Sequence, residues 1–148
     1  MDLYTSCLEI SRPGNWIYAR RFLKSLKLKV RTKAAVRTDL LMADLDTVKT
    51  LMEFDNVFTG PVHGFNDAMD YYTRCSSLPV LPNISVPTLV VNAKNDPFLS
   101  SACYPAASSA SLSVVLEYPE HGGHVGFARF DQKGLYWSDM RAVAFLAQ

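Results

Sequence analysis

Val86-Pro87-Thr88-Leu89-Val90-Val91-Asn92 is the stretch on which the reading of this chain turns. It is compact, apolar and rich in β-branched side chains, and a proline stands near its start, where strands tolerate one. Leu112-Ser113-Val114-Val115-Leu116-Glu117-Tyr118 has the same character. Short, nearly continuous apolar runs are what strands look like when a parallel sheet buries both of their faces. Between the two runs, Cys103 to Ala110 is expected as a short crossover helix, with Tyr104-Pro105 marking its start. Leu135 to Ala147 is expected as a final helix, because Trp137, Met140, Val143, Ala144 and Ala147 recur at helical spacing. Residues 79–148 therefore predict strand, loop, helix, strand, loop, helix, the grammar of a parallel α/β sheet.

Upstream the period changes, and residues 1–78 read as helical. Arg12-Pro13-Gly14-Asn15 is a turn signal, and Asn15 is a candidate cap for the helix that follows. From Trp16 to Leu28, Tyr18, Phe22, Leu23 and Leu26 recur at helical spacing. A second helix is expected from about Thr38 to Phe54, with Leu41, Leu45, Val48, Leu51 and Met52 on one side. Asp55 to Pro61 is expected as a loop, and Phe65 to Arg74 as a third, short helix. Asp67, Asp70, Tyr71 and Tyr72 on that helix fit either the lining of a pocket or ordinary capping and packing.

Composition sets bounds. Of the 148 residues 49% are hydrophobic and 20% charged, values ordinary for a folded globular domain. The net charge of +1 gives no whole-chain attraction for nucleic acid. No apolar run is long enough to span a bilayer, and the first residues lack the basic start and apolar core of a signal peptide. Cys7, Cys75 and Cys103 are too few and too far apart for a disulfide framework or a zinc ligand set. They read as reduced thiols, which places the protein in the cytoplasm.

Two loops carry the chemistry, and each directly follows one of the expected strands. The first is Asn95-Asp96-Pro97-Phe98. The second is His121-Gly122-Gly123-His124-Val125-Gly126-Phe127. Active sites of open parallel sheets form outside the carboxyl ends of the strands, so the acid and the histidine fall on the reactive edge. A serine hydroxyl is a poor nucleophile at neutral pH. It needs a histidine to take its proton during attack and return it to the leaving group, and a buried carboxylate to fix that histidine's tautomer. Asp96 is the candidate orienting acid and His124 the candidate general base and acid, in the chain order acid then histidine. Spacing alone leaves open a helix-capping role for Asp96 and a backbone-bonded structural role for His124.

The residues also carry a family likeness. Phe54-Asp55-Asn56-Val57-Phe58-Thr59, His63-Gly64-Phe65, Asp70-Tyr71-Tyr72 and Cys75-Ser76-Ser77 lead into the first apolar run and Asn95-Asp96-Pro97-Phe98. Glu117-Tyr118-Pro119 and Gly122-Gly123-His124-Val125-Gly126-Phe127 then follow. In this order the segments resemble the YheT-like branch of the α/β-hydrolases, described as predicted carboxylesterases. The resemblance implies an α/β-hydrolase fold, catalytic roles for Asp96 and His124, hydrolysis of a small-molecule or lipid-like carboxylic ester, and no cofactor and no metal. That family's nucleophile sits on an upstream Gly-x-Ser-x-Gly elbow, and this sequence contains none. The chain is accordingly expected to be the C-terminal portion of such a fold, with its N-terminal sheet strands missing. Met1-Asp2-Leu3 is then expected to be the tail of a sheet strand, and residues from about 11 to 54 a helical lid insertion. A partial sheet of this kind predicts poor solubility or dependence on a partner that supplies the first half. A remnant without catalysis, kept as an interaction fragment, is the alternative.

Two further features have more than one reading. Arg20, Arg21, Lys24, Lys27, Lys29, Arg31, Lys33 and Arg37 interleave with Phe22, Leu23, Leu26 and Leu28. This basic 20–37 segment fits peripheral contact with an anionic membrane or partner, and equally the solvated face of a lid helix. His63, His121 and His124 are enough imidazoles for a catalytic zinc, but a glycine pair separates the last two on a loop and nothing in the sequence places His63 beside them.

Overall fold

The structure is a computed structural model that describes residues 1–34, 45–128 and 134–147. It divides into two compact units, Asp2–Ser76 and Met1 with Ser77–Gln148. The division falls close to the change of hydrophobic period in the sequence.

The first unit is helical. Helix α1 spans Leu3–Ile10, and the Asp2 carboxylate caps it by accepting from the Thr5 backbone N–H at 2.7 Å. Met1-Asp2-Leu3 is therefore a helix start, not the strand tail expected from the sequence. An aspartate that bonds the amide three residues on satisfies a donor that a helix would otherwise orphan. After a 3₁₀ turn at Pro13–Asn15, helix α2 runs over Trp16–Ala34, beyond the Leu28 limit that the apolar pattern suggested. The Asn15 amide reaches back to the Glu9 carbonyl at 2.9 Å. Of the helix expected from Thr38 to Phe54, the part before residue 45 lies outside the described residues, as does Arg37; residues 45–50 are turn and irregular backbone, and only helix α3, Leu51–Phe54, forms, started by the extended backbone and side-chain cap of Thr50.

The expected loop at Asp55 to Pro61 is instead a π-helical segment, Asp55–Thr59, that runs into the short helix α4, Gly60–Val62. Pro61 has no N–H to offer the carbonyl four residues back, and its ring would crowd that carbonyl. Widening the turn by one residue relieves the conflict. The Asp55 carboxylate holds the segment, accepting from the Thr59 hydroxyl and the Tyr72 hydroxyl, each at 2.6 Å. Gly60 permits the close approach of the next helix, because a Cβ there would lie 2.8 Å from the Asp67 carbonyl oxygen. Helix α5, Ala68–Cys75, follows, capped by Asp67.

Two clusters form the core of this unit. Val30, Leu45, Val48 and Phe54 make one, with Leu23, Leu26, Val57 and Phe58 against it. Cys7, Ala68 and Tyr72 make the other, with Leu3, Leu51, Met52 and Tyr71. Burial, with the charge of Asp55 adding, pushes the Cys7 thiol up, and burial and Asp55 push the Tyr72 phenol far above its usual range. The three cysteines are free, with Cys7 and Cys103 buried and Cys75 exposed. A disulfide reagent near pH 8 should therefore modify one thiol quickly, and Cys75→Ser should abolish that fast phase; fast uptake persisting in that variant would contradict the burial of the other two.

The second unit carries the sheet. A 3₁₀ stretch at Leu78–Asn83 precedes strand β1, Thr88–Val91, and strand β2 is Val114–Glu117. The strands pair in parallel, with Thr88 opposite Val114 and Val91 opposite Glu117. This is a small α/β unit with a two-stranded parallel sheet, as the two apolar runs predict. The crossover differs from expectation. In place of a helix from Cys103 to Ala110 there are two 3₁₀ turns, Ser101–Cys103 and Ala107–Ser109. Pro105 disfavours helical backbone at Tyr104, which has φ −123° and ψ 63°, and the serines beyond it favour turns. Helix α6, Trp137–Leu146, closes the unit, and its Arg141 grips the carboxylate of Glu117 at the end of β2. Among the described residues no helix is long and apolar enough to cross a membrane.

Candidate active site

Both strands of the sheet end beside the same point. Past β1 the Asn92 N–H donates to the Glu117 carbonyl at 3.1 Å, and the Lys94 N–H to the Pro119 carbonyl at 2.8 Å. Parallel pairing thus continues beyond the strands and delivers the two loops side by side. The structure brings Asp96 and His124 together, with His124 Nδ1 2.9 Å from Asp96 Oδ2.

The carboxylate is set for this contact. Asp96 is 8% exposed, and its other oxygen, Oδ1, accepts the Phe98 N–H at 2.9 Å. Pro97 between them fixes one backbone torsion of that tight turn. An ionised carboxylate can only accept, so the Asp96 contact selects the tautomer with the proton on Nδ1. Nε2 is then the lone-pair nitrogen, on a side chain half exposed. Phe98, itself buried, meets the imidazole edge-on with ring centroids 4.8 Å apart. The arrangement can take a proton from a hydroxyl presented at Nε2 and hold the resulting imidazolium against Asp96.

The histidine loop has its own scaffold. Asn95 Oδ1 accepts from the backbone N–H of Gly122 at 2.9 Å and of Gly123 at 2.8 Å. The Phe127 N–H closes the loop on the Gly122 carbonyl at 2.9 Å, and Gly123, Val125 and Phe127 all have positive φ. Phe127 is buried against Trp137, with ring centroids 5.4 Å apart. On the acid side, the Tyr104 hydroxyl donates to the Ala93 carbonyl at 2.6 Å; burial and the nearby Asp96 charge push this phenol up. A cavity of about 480 Å³ opens beside the loop, lined by Asn95, His121, Gly122, Phe127 and Trp137 among others.

Sequence reasoning found Asp96 and His124 but gave Asn95 and Phe98 no role. The sequence offers no signal for the Asn95 role, because its partners are backbone amides of a loop 27 and 28 residues away. Asn95→Ala should loosen His124, reducing the Nδ1–H population seen in long-range proton–nitrogen spectra of the imidazole. Asn95→Asp keeps the acceptor and should keep the signal; an unaltered spectrum for Asn95→Ala would remove Asn95 from the scaffold.

The other candidates sit elsewhere. His63 follows α4 in the helical unit and is exposed, and His121 is exposed on its loop. No group of three metal-ligating side chains is gathered in one place among the described residues. Asp67 caps α5, Asp70 accepts from Asn66 and Arg74, and Tyr71 and Tyr72 line a cavity of about 350 Å³ in the helical unit.

No protein-family model and no solved structure matches the chain. Curated proteins do match. The Escherichia coli (strain K12) protein named "Putative esterase YheT" is 40% identical over 114 residues, which cover 75% of this chain and 34% of that protein. The chain belongs to the YheT-like α/β-hydrolase family. Other relatives are the monoacylglycerol lipase of Saccharomyces cerevisiae, 30% identical over 92% of this chain and 32% of its own length, and human phospholipase ABHD3, 30% identical over 82% and 31%. The chain thus spans about a third of the length of the curated relatives it matches.

Proposed function

We propose that this chain supplies the acid and the base of a Ser-His-Asp triad that hydrolyses a carboxylic ester, as part of an α/β-hydrolase fold whose remaining sheet strands lie outside this sequence. The observation that carries the proposal is the 2.9 Å contact between Asp96 and His124, made from the ends of adjacent parallel strands. In the reaction a serine Oγ attacks the ester carbonyl while His124 Nε2 takes its proton. His124 then protonates the departing alcohol; in the second half it takes a proton from the water that attacks the acyl carbon and returns it to the serine Oγ as the bond to Oγ breaks and the acid leaves. Asp96 keeps Nδ1–H pointed inward throughout. The helical segment from about 11 to 54 serves as the lid of that site, and the substrate is a small-molecule or lipid-like ester, as the names of the relatives suggest. Three free thiols suit a cytoplasmic setting.

The test is a chimera in which the residues matching the Escherichia coli relative replace their counterpart in that protein. The chimera should turn over p-nitrophenyl esters and take a fluorophosphonate label on serine, and His124→Ala should abolish the turnover. A chimera equally active with and without His124 would end the proposal.

A second reading has one observation behind it, the lack of a Gly-x-Ser-x-Gly elbow in the sequence. On that reading the chain is an interaction fragment without catalysis. An inactive chimera that nevertheless folds would favour it.

A further inference from the structure

Helix α2 concentrates charge to a degree nothing in the proposed chemistry uses. Across Trp16–Ala34 it holds Arg20, Arg21, Lys24, Lys27, Lys29, Arg31 and Lys33, and no acidic residue. The whole chain carries only +1, so the remainder is net negative and the positive charge belongs to this element. Two of the cations are spent within the unit: Lys27 donates to the Val48 carbonyl at 2.6 Å, and Arg31 pairs with Asp46. Arg20, Arg21, Lys24, Lys29 and Lys33 have no acidic partner among the described residues.

The helix faces are cleanly sorted. Ala19, Phe22, Leu23, Leu26 and Val30 turn toward the unit, with Val30 3% exposed. Directly opposite, Ile17, Arg21, Lys24 and Leu28 fall at i, i+4, i+7 and i+11, one outward stripe. Ile17 is 61% and Leu28 62% exposed. Trp16 and Tyr18, also exposed, stand at the same end of the helix as Ile17. Solvation of a charged face needs no aliphatic side chain within it. A nucleic acid or an acidic protein would use the cations but gain little from Ile17 and Leu28. A surface that is anionic at its rim and apolar beneath uses both.

We propose that the outward face of α2 docks on an anionic lipid surface. Arg21 and Lys24, with Arg20 at the edge of the stripe, meet headgroup phosphates, their stems lying along the boundary, while Ile17 and Leu28 enter the acyl region. The proposal is independent of the hydrolase reading, since it concerns binding and not turnover.

The test uses the 148-residue chain and sedimentation with vesicles of phosphatidylcholine alone or mixed with phosphatidylserine. The chain should partition onto the mixed vesicles and be released by salt. The triple variant Arg20→Glu, Arg21→Glu, Lys24→Glu should lower partitioning by roughly 100-fold or more. Ile17→Ser and Leu28→Ser should each lower it roughly tenfold. The double variant Arg20→Lys, Arg21→Lys keeps the charge and should bind like the parent, which separates loss of charge from loss of fold. Equal binding to both kinds of vesicle, binding to heparin without binding to vesicles, or self-association that buries Ile17 and Leu28 would each overturn the proposal.

Discussion

Asp96→Asn should lower ester turnover in the active chimera by about 10⁴-fold, with little change in stability. The size follows from the proton inventory of His124. With its Oδ1 kept on the Phe98 N–H, an asparagine turns its NH₂ to Nδ1, which can then only accept, so the ring proton moves to Nε2 and the base is lost. It also withholds the negative charge that stabilises the imidazolium in the transition state. A 10⁴-fold loss corresponds to about 5 kcal/mol of transition-state stabilisation. The fold should tolerate the change, because an asparagine Oδ1 can still accept the Phe98 N–H that Asp96 Oδ1 accepts at 2.9 Å. Burst kinetics with a p-nitrophenyl ester would check the loss, and imidazole nitrogen spectra of the isolated chain would check the tautomer. A variant that keeps most of its rate with Nδ1–H still dominant would show that Asp96 caps a turn and does nothing more.

The residues that were legible in the sequence were those whose role follows from local pattern. Thr88–Val91 and Val114–Glu117 stand out as unbroken apolar runs and do pair in parallel, although here they are only partly buried and Val115 is exposed; Asp96 and His124 follow because active loops sit at strand ends. What was illegible depended on bonds that pattern does not encode. Asp2 reads as one more polar residue until its carboxylate is seen on the Thr5 amide. Gly60 and Pro61 suggest a loop until the Asp55 carboxylate is seen holding a widened helical turn between Thr59 and Tyr72. Pro105 suggests a helix start, yet a proline equally restrains the residue before it, and at Tyr104 that restraint prevails. Asn95 was passed over because its partners are backbone amides on a loop distant in sequence, and a single sequence carries no sign of that pairing.

Gly122→Ala should cost about 2 kcal/mol, or about 6 °C in Tm, and should also break the histidine–aspartate contact. The reason is space, not backbone freedom, since Gly122 is not among the positive-φ glycines. A Cβ at this position would lie 2.4 Å from Phe127 Cε1 and 2.7 Å from the Ala93 Cβ. Phe127 has nowhere easy to go, being buried against Trp137 on backbone with φ 41°. The strand end at Ala93 is held from the other side by the Tyr104 hydroxyl. The loop must therefore lift, and lifting it draws the Gly122 and Gly123 amides away from Asn95 and His124 away from Asp96. Gly14→Ala, with nothing within 4 Å of its added methyl, is the matched control and should leave Tm and the imidazole spectrum unchanged. Phe127→Leu in the Gly122→Ala background removes the ring atoms that the new methyl would strike. It should restore the Nδ1–H signal in part, giving a coupling between the two sites that neither single change explains. If Gly122→Ala melts with the parent and keeps its tautomer, the loop is not wedged between Ala93 and Phe127, and the placement of His124 must be held by something other than the packing beneath it.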